Sequence, residues 1–239
     1  MISEPESVKA MASYDAIYLD RDFAHFKQDR NYVRFLVSKL RNLETSSVLD
    51  VGCGRGYWSG LFKESRVGRV VGIDVSLVGL RKAREAISDV EFTLADATRL
   101  PYADQSFDMI FCQGLPIFSI DDLSEAKTAG LELLRCLRDD GILVFAHATN
   151  LSGKMKGSWF QHRQSAIVDF FPSLGYNIAN IYLVERLIML RLFGRLAINS
   201  TLLKHALPVV CRVTGLPICL VVIARKSIRY SSQLETITS

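Results

Sequence analysis

The chain has 239 residues, of which 49% are hydrophobic and 23% are charged, and its formal net charge is +4. With 15 Gly and 6 Pro, this composition excludes a disordered chain, a collagen-like fibre and a disulfide-stapled miniprotein. The five cysteines are widely spaced and form no Cys-x-x-Cys pair, which favours a reducing, cytoplasmic location.

The first part of the chain, residues 1–45, is predicted to be a helical cap. Apolar side chains recur near helical spacing in residues 14–43 and predict one or two helices. The first six residues carry acidic side chains where a secretory signal carries basic ones. The longest apolar stretches of the chain are too short to span a bilayer, so we expect no transmembrane segment.

Short β-branched apolar runs alternate with helical patterns through most of the remaining chain. The predicted strands are residues 47–51, 69–74, 90–94, 107–112, 141–146, 176–184 and 218–224. The predicted helices between them are residues 57–64, 77–87, 123–137 and 160–174. This alternation is typical of βαβ units, so we predict an α/β fold with a mostly parallel sheet and helices on both faces.

A glycine-rich turn after the first predicted strand is the strongest functional signal. Gly52, Gly54 and Gly56 stand at alternate positions between a buried strand and a helix. Glycine permits a tight turn with positive φ and leaves no Cβ between the backbone and a ligand. The following helix begins with unpaired N–H groups. We therefore predict that a ligand binds against this turn, and that Cys53 within it is a packing residue.

The spacing of this turn does not fit a phosphate-binding motif. A dinucleotide fingerprint that begins at Gly52 needs a third glycine where the chain has Tyr57. No Gly-Lys-Ser or Gly-Lys-Thr follows the turn, so a Walker A loop is excluded as well. Asp50, at the end of the strand, places a carboxylate near the bound group. The sequence therefore favours a positively charged ligand over a pyrophosphate.

These residues resemble motif I of the class I S-adenosylmethionine-dependent methyltransferases, and most strongly the methyltransferase type 11 group. The resemblance covers about residues 45–184 and the strand near 218–224. It implies a Rossmann-like, doubly wound, seven-stranded sheet, mostly parallel with an antiparallel last strand. In this family a Pro-Gly-Gly turn precedes the fifth strand, whereas this chain has Asp139, Asp140 and Gly141, which leaves Gly141 for the turn.

The resemblance also implies a cofactor, S-adenosyl-L-methionine, and the residues that hold it. Asp74, at the end of the second strand, is implied to accept hydrogen bonds from the ribose hydroxyls. Asp96, after the third strand, is implied to accept one from the adenine amino group, next to the backbone N–H of Ala97. The full implied set is Asp50, Gly52, Cys53, Gly54, Gly56, Asp74, Val75, Asp96, Ala97, Gln113 and Gly114.

Methyl transfer from a sulfonium requires alignment of the reacting atoms more than acid–base chemistry. Tyr14, Tyr18 and Tyr57 are candidates to contact the positive sulfur, with packing as the alternative for each. His147 follows the fifth strand on the same sheet edge and is a candidate to take a proton from an oxygen or nitrogen acceptor, with a structural role as its alternative. We predict no metal site, because no histidine has metal-ligand spacing with another histidine or a cysteine.

The C-terminal part of the chain is basic and contains an apolar segment. Residues 185–239 carry eight basic and two acidic side chains, and residues 187–198 are apolar almost all the way round a helix. Core or dimer packing is one interpretation; a lid over an apolar acceptor or contact with a membrane surface is the other. Within a single domain, we expect a cofactor-binding core at 46–184, a helical insert or lid at 185–216, the last strand at 217–226 and a flexible tail at 227–239.

We therefore expect an enzyme that transfers a methyl group, by in-line displacement, to a small-molecule or lipid-like acceptor. We expect a monomer or homodimer with no nucleic-acid partner. Two alternatives stay open: a non-catalytic subunit that binds S-adenosylmethionine, and an NAD-dependent oxidoreductase. The first would keep Asp74 and Asp96 but lack a channel to the methyl group. The second would need space for a pyrophosphate beside Tyr57.

Overall fold

The computed structural model of the chain describes Asp15 and residues 29–149, 154–156, 159–183 and 218–227. The helices in these ranges are α1 (Asp29–Val37), α2 (Tyr57–Glu64), α3 (Leu77–Ala86), α4 (Ser124–Cys136) and α5 (Gln164–Ser173), with a 3₁₀ turn at Pro116–Ser119. The strands are β1 (Ser47–Val51), β2 (Arg69–Asp74), β3 (Glu91–Leu94), β4 (Phe107–Gln113), β5 (Leu137–Thr149), β6 (Lys154–Lys156), β7 (Trp159–Gln161), β8 (Tyr176–Leu183) and β9 (Ile218–Lys226).

Seven of these strands form one sheet in the order β3-β2-β1-β4-β5-β9-β8. The first five strands of the chain pair in parallel, while β9 runs antiparallel to both β5 and β8. The predicted fold is thus confirmed, including the antiparallel last strand. The order of strands reverses between β1 and β4, and ligands of doubly wound sheets bind beside the carboxyl ends of the strands at such a point.

Both faces of the sheet are covered, because alternate residues of the central strands point to opposite sides. Leu49 of β1 packs in one core together with Leu133 of α4. Its neighbour Val48 packs in the other core, with Leu36 of α1 and Phe62 of α2. The predicted helices on both faces are therefore confirmed.

Most predicted elements differ from the structure by no more than two residues at either end, and two differ by more. The helix predicted at 160–174 begins only at Gln164, because Trp159–Gln161 pairs as a strand with Lys154–Lys156. The turn predicted at Gly141 lies inside β5, where the pairing with β4 shifts its register. A Cβ on Gly141 would lie 2.8 Å from Leu137 Cδ1 and 3.1 Å from the Asp108 carbonyl oxygen, so glycine permits this irregularity within the strand.

The remaining predictions concern the two ends of the chain. Helix α1 lies within the predicted cap. Tyr14, Tyr18, the insert at 185–216 and all of the tail except Ser227 lie outside the described residues. No helix in the described part of the chain has the length and apolar character to cross a bilayer.

Candidate functional site

The glycine turn joins β1 to α2 at the edge where the parallel strands end. The φ angles of Gly52, Gly54 and Gly56 are 73°, 54° and 77°, in the left-handed region that favours glycine. The backbone N–H groups of Gly52 and Cys53 both donate to the Ile73 carbonyl, at 2.8 and 2.9 Å. These two bonds fix the turn against β2. Gly52 is exposed, and the Leu115 side chain occupies the position that its Cβ would take.

Asp74 connects the end of β2 to this turn. Its carboxylate Oδ2 accepts the Gly54 N–H at 2.8 Å, and Oδ1 accepts the Ser76 N–H at 2.8 Å. The side chain is buried, at 6% exposure. Burial raises the pKa of Asp74, while the backbone N–H bonds act in the opposite direction. The structure therefore brings Asp74 and the glycine turn together.

Asp96 follows the neighbouring strand β3 at the same sheet edge. Its Oδ1 accepts both the backbone N–H and the hydroxyl of Thr98, each at 2.8 Å, so Oδ2 has no partner within the described ranges. The N–H of Ala95 donates to the Asp74 carbonyl at 3.1 Å, and Ala97 is half-buried. The two acids implied by the family resemblance thus lie at the ends of adjacent strands.

Two residues of α4, Glu132 and Arg135, hold the loop after Asp96. The sequence analysis did not single them out. The guanidinium of Arg135 donates to the carbonyls of Tyr102 and Leu100, at 2.7 and 3.1 Å. Glu132 accepts from Arg135 at 2.9 Å and from the Leu100 N–H at 2.8 Å. The only signal in the sequence is the i, i+3 spacing of an acid and a base on one helix, which is common on solvated surfaces.

Gln113 and Gly114 end β4 on the other side of the glycine turn. Gln113 is half-buried. Gly114 is exposed, has φ 67° and donates its N–H to the Ala146 carbonyl at 2.8 Å. A Cβ on Gly114 would meet nothing within 4 Å. The next residue, Leu115, is buried and would lie 2.6 Å from a Cβ on Gly52, so it borders the turn from the side of β4.

Asp50 lies beneath the turn rather than open beside it. The carboxyl group is only 1% exposed and accepts the Ser59 hydroxyl at 2.6 Å. Burial raises the pKa of Asp50 to about 7. An ionised Asp50 attracts a cationic ligand through the turn, without the direct access that its place in the sequence led us to expect.

Cys53, Val75 and Tyr57 complete the predicted set near the turn. Cys53 is buried, and burial raises the pKa of its thiol well above the ordinary value. Its Sγ would lie 2.9 Å from a Cβ on Gly72, in agreement with a packing role. Val75 is half-buried next to Asp74. The half-buried Tyr57 ring packs edge-on against Trp58, with 5.2 Å between ring centroids.

Asp50 gives a testable pH dependence of stability. Because its folded-state pKa is raised, its contribution is fully present below the unfolded value, near 3.8, and is lost as pH rises through about 7. Relative to Asp50→Asn, the wild-type protein should lose about 2 kcal/mol of unfolding free energy between pH 5 and pH 8. Urea unfolding of both proteins at several pH values measures this difference. Parallel pH profiles for the two proteins would contradict it.

His147 was predicted to follow the fifth strand but lies inside β5, two residues before its end, and its side chain is only 3% exposed. Its Nε2 is 3.3 Å from the Ser119 hydroxyl, and Nδ1 has no partner in the part of the chain that the structure describes. The ring stacks on Phe145, with 5.7 Å between centroids. Burial lowers the pKa of His147 to about 4, with a smaller effect of His162. The imidazole is therefore neutral at physiological pH.

Comparison with known protein families and relatives indicates which kind of domain contains this site. Residues 48–141 match a family model described as a methyltransferase domain. The chain is 33% identical over 150 residues to the demethylmenaquinone methyltransferase of Renibacterium salmoninarum, covering 61% of each protein. Residues 48–141 therefore carry a methyltransferase domain, of the class I S-adenosylmethionine-dependent type that the sequence motifs resemble. This methyltransferase domain contains the glycine turn, Asp74 and Asp96.

Other relatives of the methyltransferase domain differ in their named activities. The chain is 31% identical over 117 residues to the tRNA U34 carboxymethyltransferase of Nautilia profundicola, covering 44% of this chain and 39% of that protein. The chain therefore spans less than two thirds of the length of either relative. The crystal structure of the cyclase SpnF is similar in fold, with a TM-score of 0.67, 20% identity, and coverage of 94% of this chain and 98% of that one.

Proposed function

We propose that this chain is an enzyme that transfers the methyl group of S-adenosylmethionine to a small-molecule or lipid-like acceptor by in-line displacement. The observation that carries this proposal is the position of the Asp74 carboxylate, 2.8 Å from the Gly54 N–H within a glycine turn that does not fit pyrophosphate. This position supports binding of a nucleoside through its ribose, next to a turn that presents bare backbone. Membership of the methyltransferase family supports the choice of nucleoside.

The described residues fit S-adenosylmethionine. The carboxylate of Asp74 can accept from the ribose hydroxyls, and Oδ2 of Asp96 can accept from the adenine amino group. Gly52 lets the methionine part approach the backbone. The negative charge of Asp74 on this edge, together with that of the buried Asp50 when it is ionised, favours a cation over a phosphate.

When bound, the cofactor supplies an electrophilic methyl group on a positive sulfur. The chain's part is to orient the acceptor and to exclude water. Gln113 and Gly114 border the glycine turn from β4, and a Cβ on Gly114 would meet nothing within 4 Å. The buried Leu115 forms an apolar wall beside Gly52. This side of the turn is where we place the acceptor.

We propose a lipid-like small molecule as the acceptor, because the relative from Renibacterium salmoninarum is named for a quinone of that kind. The apolar residues around the 3₁₀ turn, Leu115, Ile117 and Phe118, are compatible with an apolar ligand. RNA is the competing acceptor, since the relative from Nautilia profundicola is named for a tRNA. The acceptor experiment below separates these two classes.

We propose that His147 accepts the acceptor's proton, through Ser119 or after the 3₁₀ turn moves. Because burial lowers its pKa to about 4, the imidazole stays unprotonated above that pH and should produce no change in rate between pH 6 and 8. His147→Gln is expected to lower the rate of methyl transfer about 100-fold with unchanged affinity for S-adenosylhomocysteine. Single-turnover kinetics and calorimetry measure the two quantities. A rate within threefold of wild type would remove His147 from the chemistry.

Two experiments test the proposed function. Isothermal titration calorimetry with S-adenosylmethionine, S-adenosylhomocysteine and NAD should show binding of the first two only; binding of NAD alone would overturn the proposal in favour of an oxidoreductase. Transfer of labelled methyl groups to fractionated cell extract should then label the lipid or small-molecule fraction. Label in RNA would show that the acceptor is RNA and not a lipid or small molecule. Binding without any transfer would support a non-catalytic subunit.

A further inference from the structure

We propose that Asp15 is a positioning residue of the cofactor site, which acts through Ser76 on the ribose-binding carboxylate of Asp74. The inference rests on the proposed function, because it assigns a purpose to a contact near the ribose end of that site. Asp15 comes from the N-terminal part of the chain, 61 residues before Ser76. Neither residue belongs to a motif of the sequence.

Ser76 is the residue through which the two acids are connected. It is fully buried and is the N-cap residue of α3. Its backbone N–H donates to Asp74 Oδ1 at 2.8 Å, and its hydroxyl donates to Asp15 Oδ1. The same hydroxyl oxygen accepts the Gly79 N–H at 3.0 Å. Asp15 Oδ1 also accepts the Val78 N–H, at 3.2 Å.

The hydroxyl of Ser76 has a single hydrogen, so its direction depends on Asp15. With Asp15 as acceptor, the oxygen lone pairs face Gly79 and complete the helix cap. Without Asp15, a buried hydroxyl donor loses its partner, which favours another rotamer and disturbs the cap. The Ser76 N–H that orients Asp74 lies on the same residue. Loss of Asp15 should therefore shift the carboxylate away from the geometry that grips two ribose hydroxyls.

The test compares two substitutions of Asp15. Asp15→Ala removes the acceptor, whereas Asp15→Asn keeps an oxygen that can accept from both Ser76 and Val78. We expect Asp15→Ala to weaken binding of S-adenosylhomocysteine about tenfold and Asp15→Asn to stay within about threefold of wild type. Calorimetry measures both. Asp169→Ala, an exposed acid on α5 without a described partner, is the control.

A second ligand separates positioning from a general loss of structure. The 2′,3′-dideoxy analogue of S-adenosylhomocysteine has no hydroxyls for Asp74, so its affinity should change less than about twofold in Asp15→Ala. In a Ser76→Ala background, Asp15→Ala should have no further effect, because the connection is already lost.

Three results would overturn the inference. They are wild-type affinity in Asp15→Ala, an equal loss for both ligands, or a full effect of Asp15→Ala in the Ser76→Ala background. Wild-type protein that binds no S-adenosylhomocysteine would instead overturn the proposed function, and this inference with it. The two failures are therefore distinguishable in the same set of titrations.

Discussion

Replacement of Asp74 by alanine is expected to lower the affinity for S-adenosylhomocysteine at least about 100-fold. The substitution removes the carboxylate that we propose binds the ribose. It also leaves the N–H groups of Gly54 and Ser76 without the acceptor that they share in the folded protein. Each lost bond loosens an element next to Asp74, the glycine turn on one side and the start of α3 on the other. Calorimetric titration measures the affinity.

The loss of two buried bonds should also lower the free energy of unfolding, by about 2 kcal/mol. Asp74→Asn keeps the size of the side chain but offers only one acceptor oxygen, so its affinity should fall between those of wild type and Asp74→Ala. Asp169→Ala serves as the control for loss of an acid elsewhere on the surface. An Asp74→Ala protein that binds within threefold of wild type would show that the carboxylate does not contact the ligand.

The central strands and the glycine turn can be predicted from sequence because their signals are local. Strand β1 is buried at every position, and a strand buried on both faces carries apolar residues at successive positions, as Val48 and Leu49 do here. The same holds for β2 after its first residue. Both strands have the predicted bounds. Helix α2 does too, because the glycine turn marks its start.

The hairpin of β6 and β7 could not be predicted from its residues. Trp159 and Phe160 are apolar and compatible with the start of a helix, which is why the helix was predicted from residue 160. Their strand conformation depends on pairing with residues 154–156. Just after β7, Nε2 of His162 is 2.7 Å from the carbonyl oxygen of Ile120, which lies 42 residues earlier in the chain. Contacts of that sequence separation leave no periodic pattern.

The residues of the candidate site also divide into those that the sequence predicts and those that only the structure reveals. Asp74 and Asp96 were predicted from the family resemblance, which rests on recognisable strands that end at Asp74 and just before Asp96. The contact of Asp15 with Ser76 and the bonds of Arg135 to the loop after β3 join distant parts of the chain, so only the folded structure reveals them. Burial is the other property that sequence spacing misses. Asp50 stands where the family motif puts an acid, yet it lies under the turn with Ser59.

Gly56→Ala is expected to lower the free energy of unfolding by about 2–4 kcal/mol. The φ angle of 77° is strained for alanine, which accounts for about 1 kcal/mol. The remainder comes from overlap, because a Cβ on Gly56 would lie 2.8 Å from Phe92 Cζ and 2.9 Å from Ile87 Cδ1. The Phe92 ring cannot move away freely, because it also packs closely on Gly72. A Cβ built on Gly72 would lie only 2.8 Å from this ring. Urea unfolding measures the change.

Gly114→Ala provides the matched control, because it has the strain without the overlap. Its φ is 67°, close to that of Gly56, but a Cβ there would meet nothing within 4 Å. We expect this variant to lose only about 1 kcal/mol. The difference between the two variants therefore measures the packing of Phe92 and Ile87 against the turn. Equal losses would mean that the ring and the helix end yield to the new methyl group, and that backbone conformation alone requires a glycine at this end of the turn.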